Sequence, residues 1–219
     1  MSQRLGQIEK ANLAQTSCYD DEAYQRVIGD QWAELASDIQ QRFASQLCRK
    51  TYVGKMRYVH LSKIGWVLAK LTRLIGRPLA QSTGRHIPTR VEVFYNAAKQ
   101  GMMWERWYDF GGTNQECVCS TKCISLNDQL SEHLGGGFSM SLRTRVINGA
   151  LYFESDEYYW TGLGRCWKLP RWLSPGRTLV FQKSLKNNRF QFYLSVVHPW
   201  FGRLITQSGV FKAQESAKL

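Results

Sequence analysis

The chain changes period near Arg90. Ahead of that point apolar residues recur every three or four positions, and beyond it they alternate with polar ones, the spacings of an amphipathic helix and a half-buried strand. Val27, Ile28, Trp32, Leu35, Ile39 and Phe43 carry the helical spacing through residues 20–46. Asp20, Asp21 and Glu22 suit a helix start, and Gly29 marks a break between two short helices. A clearer helix follows, with Ser62 placed to cap its start, Gly76 at its end and Pro78 shortly beyond. Leu61, Ile64, Val67, Leu68, Leu71, Leu74 and Ile75 fall on one face of it; Lys63, Lys70, Arg73 and Arg77 gather on another, with Trp66 among them. The apolar stripe is expected to pack on the rest of the protein and leave the basic side outward.

Alternation predicts strands over residues 91–98, 103–110, 115–124, 137–147, 150–155, 158–161, 178–185, 189–198 and 203–211. Asn148-Gly149 is a strong type I′ hairpin signal and Asn187-Asn188 a weaker one. Phe138, Met140, Leu142 and Val146 share a face, as do Phe190, Phe192, Leu194 and Val196. Strands in such succession, with no helix between them, must close or be covered to protect their edges. The predicted fold class is α+β, mainly β: N-terminal helices packed on an antiparallel β-meander closing into a barrel-like (calycin-like) sheet. It reads as a single domain over 1–219, with an N-terminal extension (1–19), a helical region (20–80), an antiparallel β region (90–211) and a tail (212–219).

Composition narrows the class without naming a function. Of 219 residues, 43% are hydrophobic and 21% charged, which excludes wholesale disorder. Residues 1–10 lack an apolar core and a small-residue cleavage site, and no run of eighteen apolar residues occurs, so a cytoplasmic protein is expected. The six cysteines read as reduced thiols. The net charge of +12 is uneven: residues 49–90 hold ten Lys or Arg and no acid, the part before is net −3 and the part after net +5. Such a field suits an anionic partner, whether membrane headgroups, nucleic acid or an acidic protein, and it also serves plain solubility.

Several motifs in order resemble one family. Trp104-Glu105-Arg106-Trp107-Tyr108-Asp109-Phe110 resembles W-x-R-x-x-x-F, Glu132 to Gly135 an E-x-x-G step, and Leu169-Pro170 to Pro175 an L-P-x-x-L-x-P connection. His198-Pro199-Trp200-Phe201-Gly202-Arg203-Leu204, followed by Gly209, resembles H-P-x-x-G-x-(L/I), and the opening with Tyr24, Ile28-Gly29 and Leu35 is similar too. The family is the bacterial group called domain of unknown function 4166, often found behind a saccharopine-dehydrogenase-like Rossmann domain and sometimes alone. The resemblance implies a domain and, at most, a Rossmann-type partner protein; it implies no activity. No G-x-G-x-x-G follows a strand here, and Gly135-Gly136-Gly137 has neither the spacing nor the helix, so dinucleotide binding in that manner is not expected.

Candidate chemistry centres on Arg106. Strand alternation sets it on one face with Trp104, Tyr108 and Phe110, and an inward guanidinium needs a carboxylate or a ligand anion. Glu132 and Glu92 are the expected partners, in either a structural ion pair or the polar end of a pocket. The predicted ligand pocket is Trp104, Arg106, Phe110, Glu132 and His198; His198 also reads as a plain corner residue before Pro199. The predicted anionic-surface residues are Lys63, Trp66, Lys70, Arg73 and Arg77. Cys117, Cys119 and Cys123 share a strand face near His133, but without a C-x-x-C knuckle they read as buried thiols, and neither metal nor cofactor is expected. G-x-S-x-G, H-E-x-x-H and P-loop motifs are absent. The leading expectation is a non-enzymatic binding domain for a small apolar or amphipathic, lipid-like ligand, with the basic helix contacting that ligand's headgroup or an anionic membrane at the cytoplasmic face. One alternative is an enzyme or enzyme subunit on such a substrate, which needs Arg106, Glu132 and His198 to converge. The other is nucleic-acid binding through residues 49–90, with Tyr52, Tyr58 and Trp66 available for stacking.

Overall fold

The computed structural model describes residues 22–44, 49–76 and 78–214. Two short helices open it, α1 (Ala23–Ile28) and α2 (Ser37–Ala44), separated by a 3-10 segment at Gly29–Glu34. The break at Gly29 falls where the sequence predicts it, while Asp20, Asp21 and residues 45–46 lie outside the described residues. Then come β1 (Lys50–Leu61), α3 (Lys63–Leu71) with a 3-10 turn at Thr72–Ile75, β2 (Gly84–Asn96), β3 (Gly101–Asp109), β4 (Gln115–Ile124) and β5 (Leu130–Gly135). The chain continues through β6 (Phe138–Ile147), β7 (Ala150–Gly162), β8 (Arg165–Lys168), β9 (Arg177–Leu185), β10 (Arg189–His198) and β11 (Gly202–Ala213).

Each strand pairs antiparallel with the next from β1 to β7; β7 then pairs with β9, and β11 returns to β1. The described residues thus form a mainly β protein with N-terminal helices and a closed ten-stranded barrel. Closure removes both sheet edges except at β8, which pairs only with β7 and stands outside the ring. Asn148 and Gly149 both adopt left-handed backbone (φ 50 and 74), as a type I′ turn requires, and Asn187-Asn188 does the same (φ 63 and 51).

Three departures from the sequence pattern have physical reasons. Residues 50–61, read as part of a helical region, form β1. Its inward residues are Tyr52 and Met56, then Val59 and Leu61, because a bulge between Met56 and Tyr58 shifts the alternation by one. The runs at 150–155 and 158–161 are one strand, β7, whose pairing with β6 slips between Met140 and Leu142. Helix α3 is capped by Ser62, whose Oγ accepts from Gly65 N–H at 3.0 Å, but its apolar stripe does not pack inward as expected. The helix seats through small residues: Gly65 and Ala69 are buried, and a Cβ on Gly65 would lie 2.1 Å from the Leu204 carbonyl oxygen. With the axis that close to β11, Leu68 is the helix's stripe residue that packs on the core, Leu61 is buried at the end of β1, and Ile64, Val67, Leu71 and Leu74 stay 44%, 50%, 60% and 86% exposed.

The barrel's two ends are closed differently. At one end Tyr24 of α1 and Phe43 of α2 form an aromatic plug against Phe153 of β7: all three are fully buried, with the Phe43 ring 4.9 Å from Tyr24 and 5.9 Å from Phe153. At the other, α3, the β7–β8 hairpin, the 169–176 connection and the β10–β11 turn surround a mouth. No helix among the described residues is long and apolar enough to cross a membrane.

Candidate functional site

Between plug and mouth lies a cavity of about 530 Å³. Its walls follow from the period of two: on β3 Trp104 and Arg106 point inward, on β4 Ser120 and Lys122, on β5 Glu132, while Val180, Phe192, Leu194 and Val196 complete the far side. Leu68, Leu71 and Ile75 from α3 and its 3-10 turn, with Leu169 and Leu173, line the mouth. The volume falls in the range of roughly 300–1,000 Å³ usual for small-ligand sites.

Charge enters this apolar interior at one place. Lys122 Nζ lies 3.0 Å from Glu132 Oε2, both side chains almost wholly buried. The same ammonium sits 5.3 Å from the centre of the Trp104 ring and 5.6 Å from that of Phe153, so the pair rests against the aromatic plug. Arg106 Nη2 donates to Ser120 Oγ at 3.1 Å. Burial alone would push the Glu132 carboxyl up; Lys122 first, then Arg106 and the Ser120 hydroxyl, reverse this and hold it below the usual carboxylate range. Burial lowers the Lys122 ammonium, and Glu132 only partly restores it.

The expected direct pairing of Arg106 with Glu132 or Glu92 is therefore corrected. Lys122, directly opposite Glu132 in the β4–β5 register, takes that carboxylate. Glu92 points out of the barrel and pairs with Arg49 and Arg90, each at 3.3 Å. Arg106 thus has no carboxylate of its own among the described residues. Three buried polar atoms of the cavity lining also lack a hydrogen-bond partner among them: Arg106 Nε, Trp104 Nε1 and, across the barrel, Gln182 Oε1. Orphaned buried polar atoms cost on the order of 1–3 kcal/mol each, so three around one cavity are an unusual concentration.

Of the five pocket residues named from sequence, the structure brings Trp104, Arg106 and Glu132 to the cavity and leaves two outside it. Phe110 stacks on Tyr108, centroids 6.0 Å apart, beyond the end of β3. His198 is buried in the corner of the β10–β11 turn, where its Nδ1 accepts from Trp200 N–H at 3.2 Å and its ring stacks on Phe201. The convergence of Arg106, Glu132 and His198 that a catalytic reading needed is not formed. Sequence reasoning missed Lys122, Ser120 and Gln182. The signal was there for β4: its cysteines sit on the outward face, so even-numbered Ser120 and Lys122 face inward.

Elsewhere, Lys63, Trp66 and Lys70 are exposed on α3 and Arg73 on its 3-10 turn, with Lys70 Nζ 5.4 Å from the centre of the Trp66 ring, while Arg77 lies outside the described residues. Tyr52, offered for stacking, is instead buried beside Arg42. Cys117 and Cys119 place their sulfurs 3.4 Å apart; this contact, ahead of an opposing burial effect, lowers the Cys119 thiol to about 7. His133 faces away toward Ser131, and among the described residues no group of three or more His, Cys, Asp or Glu is placed to hold a metal.

A closed antiparallel barrel around an apolar cavity with a charged floor defines the structural class. The family follows from comparison: residues 35–211 match the model of the family described as Domain of unknown function (DUF4166), and the chain belongs to it. No curated protein matches the chain. Among solved structures, the dehydratase domain from the CurF module of curacin polyketide synthase is similar at a TM-score of 0.19 and 8% identity, over 81% of this chain and 80% of that one. A likeness that slight carries no argument about this chain.

Proposed function

We propose that this protein is a non-enzymatic binding domain for a small amphipathic acid, whose anionic head meets Arg106 and whose apolar chain fills the barrel toward the mouth. One observation carries this reading: the largely apolar cavity holds its charged side chains at its floor, where Arg106 Nε, Trp104 Nε1 and Gln182 Oε1 have no hydrogen-bond partner among the described residues. Two of these are donors and suit a carboxylate's oxygens; Gln182 can turn its amide to offer either an acceptor or a donor. With Glu132 taken by Lys122, the guanidinium is the charge in the barrel that still calls for an anion. A fatty acyl or isoprenoid acid has the required shape: one charged end and a flexible apolar remainder.

Native mass spectrometry of the purified protein, followed by solvent extraction, identifies any retained ligand. Displacement of a fluorescent long-chain fatty acid then tests recognition of the head. A long-chain acid is expected to outcompete the matching alcohol, and Arg106→Gln to erase that preference, a loss of about 1.5–3 kcal/mol for one charged hydrogen bond. Equal displacement by acid and alcohol sinks the assignment of the head to Arg106. Failure of the wild-type protein to bind the probe sinks the reading as a whole.

A further inference from the structure

The mouth of the barrel has a composition that no single stretch of sequence displays. The described residues of segments 62–76, 78–86, 163–177 and 198–203 all lie at this end, and together they hold nine Lys or Arg and no Asp or Glu. Close contacts tie these segments together. Ser62 N–H donates to the Leu204 carbonyl at 2.8 Å, and a Cβ on Gly176 would fall 2.3 Å from the Val197 carbonyl oxygen. Lys168 pairs with Glu157 and Arg177 with Glu154 on the barrel wall; Lys63, Arg73, Arg165 and Arg171 make no ion pair with any described residue. The acids at this end, Asp109 and Glu116, flank the β3–β4 turn across the barrel, and Glu116 is engaged there by Gln81 N–H and Ser82 Oγ.

The same segments carry large apolar side chains held out at their tips. Leu74 is 86% exposed, Leu163 93%, Trp172 60%, Leu173 57%, Trp200 70% and Phe201 53%. Single exposed apolar residues are ordinary, but a ring of them at one end marks an interaction surface. The apolar stripe of α3 belongs to this ring, which accounts for a helix seated by glycine and alanine.

We infer that the mouth docks peripherally on an anionic lipid bilayer, with the tips of α3, the β7–β8 hairpin, the 170–174 loop and the β10–β11 turn seated in the interface and the cations behind them among the headgroups. Charge complementarity selects this partner: Trp, Leu and Phe beside Lys and Arg, with the acids of this end kept to the β3–β4 turn, is the pattern of interfacial membrane contact. A nucleic acid would use the cations and rings but gains nothing from aliphatic tips such as Leu74 and Leu163. The rim is also continuous with the cavity, since Leu71 and Leu173 belong to both. An apolar molecule can therefore pass from bilayer to barrel without crossing water. The docking inference stands on the rim alone and does not need the ligand reading.

Flotation with vesicles tests it, using phosphatidylcholine alone and phosphatidylcholine mixed with phosphatidylglycerol. Binding is expected only to the anionic vesicles, weakening with added salt, and glycerol phosphate should not compete. The triple variant Leu74→Ser, Trp172→Ala, Trp200→Ala leaves the cavity lining untouched and is expected to lose at least tenfold in vesicle affinity while melting like wild type. Lys63→Gln, Arg73→Gln and Arg171→Gln together should lose roughly a hundredfold, at about fivefold per cation near an anionic surface. Three results overturn the inference: indifference to both vesicle types, binding that survives the triple apolar variant, or concentration-dependent self-association through the same tips without vesicle binding. The last would make the rim a protein interface. Fatty-acid displacement by the triple variant should match wild type, so failure of docking and failure of the ligand reading are told apart.

Discussion

The two ends of this barrel solve one geometric problem in opposite ways. At the plugged end, helices α1 and α2 present apolar faces that the barrel buries completely: Ile39, Phe43 and Tyr24 lose essentially all contact with solvent. The Arg42 guanidinium lies 3.1 Å from the centre of the Phe190 ring and 4.4 Å from that of Tyr52, clamping α2 to the wall as well. At the mouth, α3 carries a comparable apolar stripe, but a glycine and an alanine hold it against β11 and the stripe stays in water. Helices stabilise a fold by the apolar area they bury, so the plug is a structural element while the mouth gives up stability for an exposed surface. The cavity inherits this polarity, with its charged floor on the plug and its greasy rim at the mouth.

The largest expected effect is at the plug. Phe43→Ala removes a fully buried ring that touches Tyr24, Phe153 and Trp104, and should cost about 3–5 kcal/mol in urea unfolding. A cost below about 1 kcal/mol would mean that the plug is dispensable and the two ends alike. At the floor, Glu132→Gln strands Lys122 beside Arg106 and should cost a similar 3–5 kcal/mol, the penalty of an unpaired buried charge. If that variant melts like wild type, the floor is not dry.

The floor also sets a pH dependence. Glu132 titrates below the usual range in the folded protein, so the unfolded state binds more protons between the folded and unfolded values. Its contribution is fully present above the unfolded carboxylate pKa and lost as pH falls through the folded one. Lys122, lowered by burial, gives the same sign at the other extreme: its burial penalty is relieved as pH rises from its folded value toward the unfolded one. Urea midpoints should therefore fall more steeply on acidification in wild type than in Glu132→Gln. Parallel curves would remove Glu132 from the acid limb.

A smaller effect is expected where α3 meets the wall. Gly65→Ala forces a methyl against the Leu204 carbonyl oxygen, and overpacking of this kind costs about 1–3 kcal/mol. The helix should shift outward, which hydrogen exchange of α3 amides would register as faster opening while β3 and β4 amides keep their protection.

What the sequence disclosed follows from how local each feature is. Phe190, Phe192, Leu194 and Val196 alternate along β10, and that strand falls where the pattern puts it, at Arg189–His198, as does β4 at Gln115–Ile124. Barrel closure was legible as a consequence of many strands without crossovers. A bulge concealed β1, because one extra residue cancels the pattern that announces a strand. β5 was concealed by shortness and by Glu132 pointing inward. At the site, Trp104 and Arg106 were legible from their shared face. The Lys122–Glu132 pair was not, because it depends on β4–β5 register, which no short-range signal fixes. The exposed stripe of α3 looked like core, since a helical wheel gives direction but not the distance at which a glycine lets the backbone approach.

The smallest expected effect is at the rim, and it bears most directly on the difference between the ends. Trp172→Ala and Trp200→Ala each remove a large ring, the same kind of truncation as Phe43→Ala, yet these rings are 60% and 70% exposed. The hydrophobic contribution of a side chain scales with the area it withdraws from water, and here most of that area is never withdrawn. The Trp200 ring touches His198 edge-on at 5.8 Å, but the hydrogen bond that builds the turn runs from the Trp200 backbone N–H to His198 Nδ1 and survives the substitution. Each variant should thus unfold within about 0.5 kcal/mol of wild type, the usual span for surface changes, with an unchanged denaturant slope. A loss of 2 kcal/mol or more from either would show that the rim packs as core, and the contrast between plug and mouth would fail. Stability that rises on truncation would sharpen the contrast, because an apolar group left in water is retained for something other than the fold.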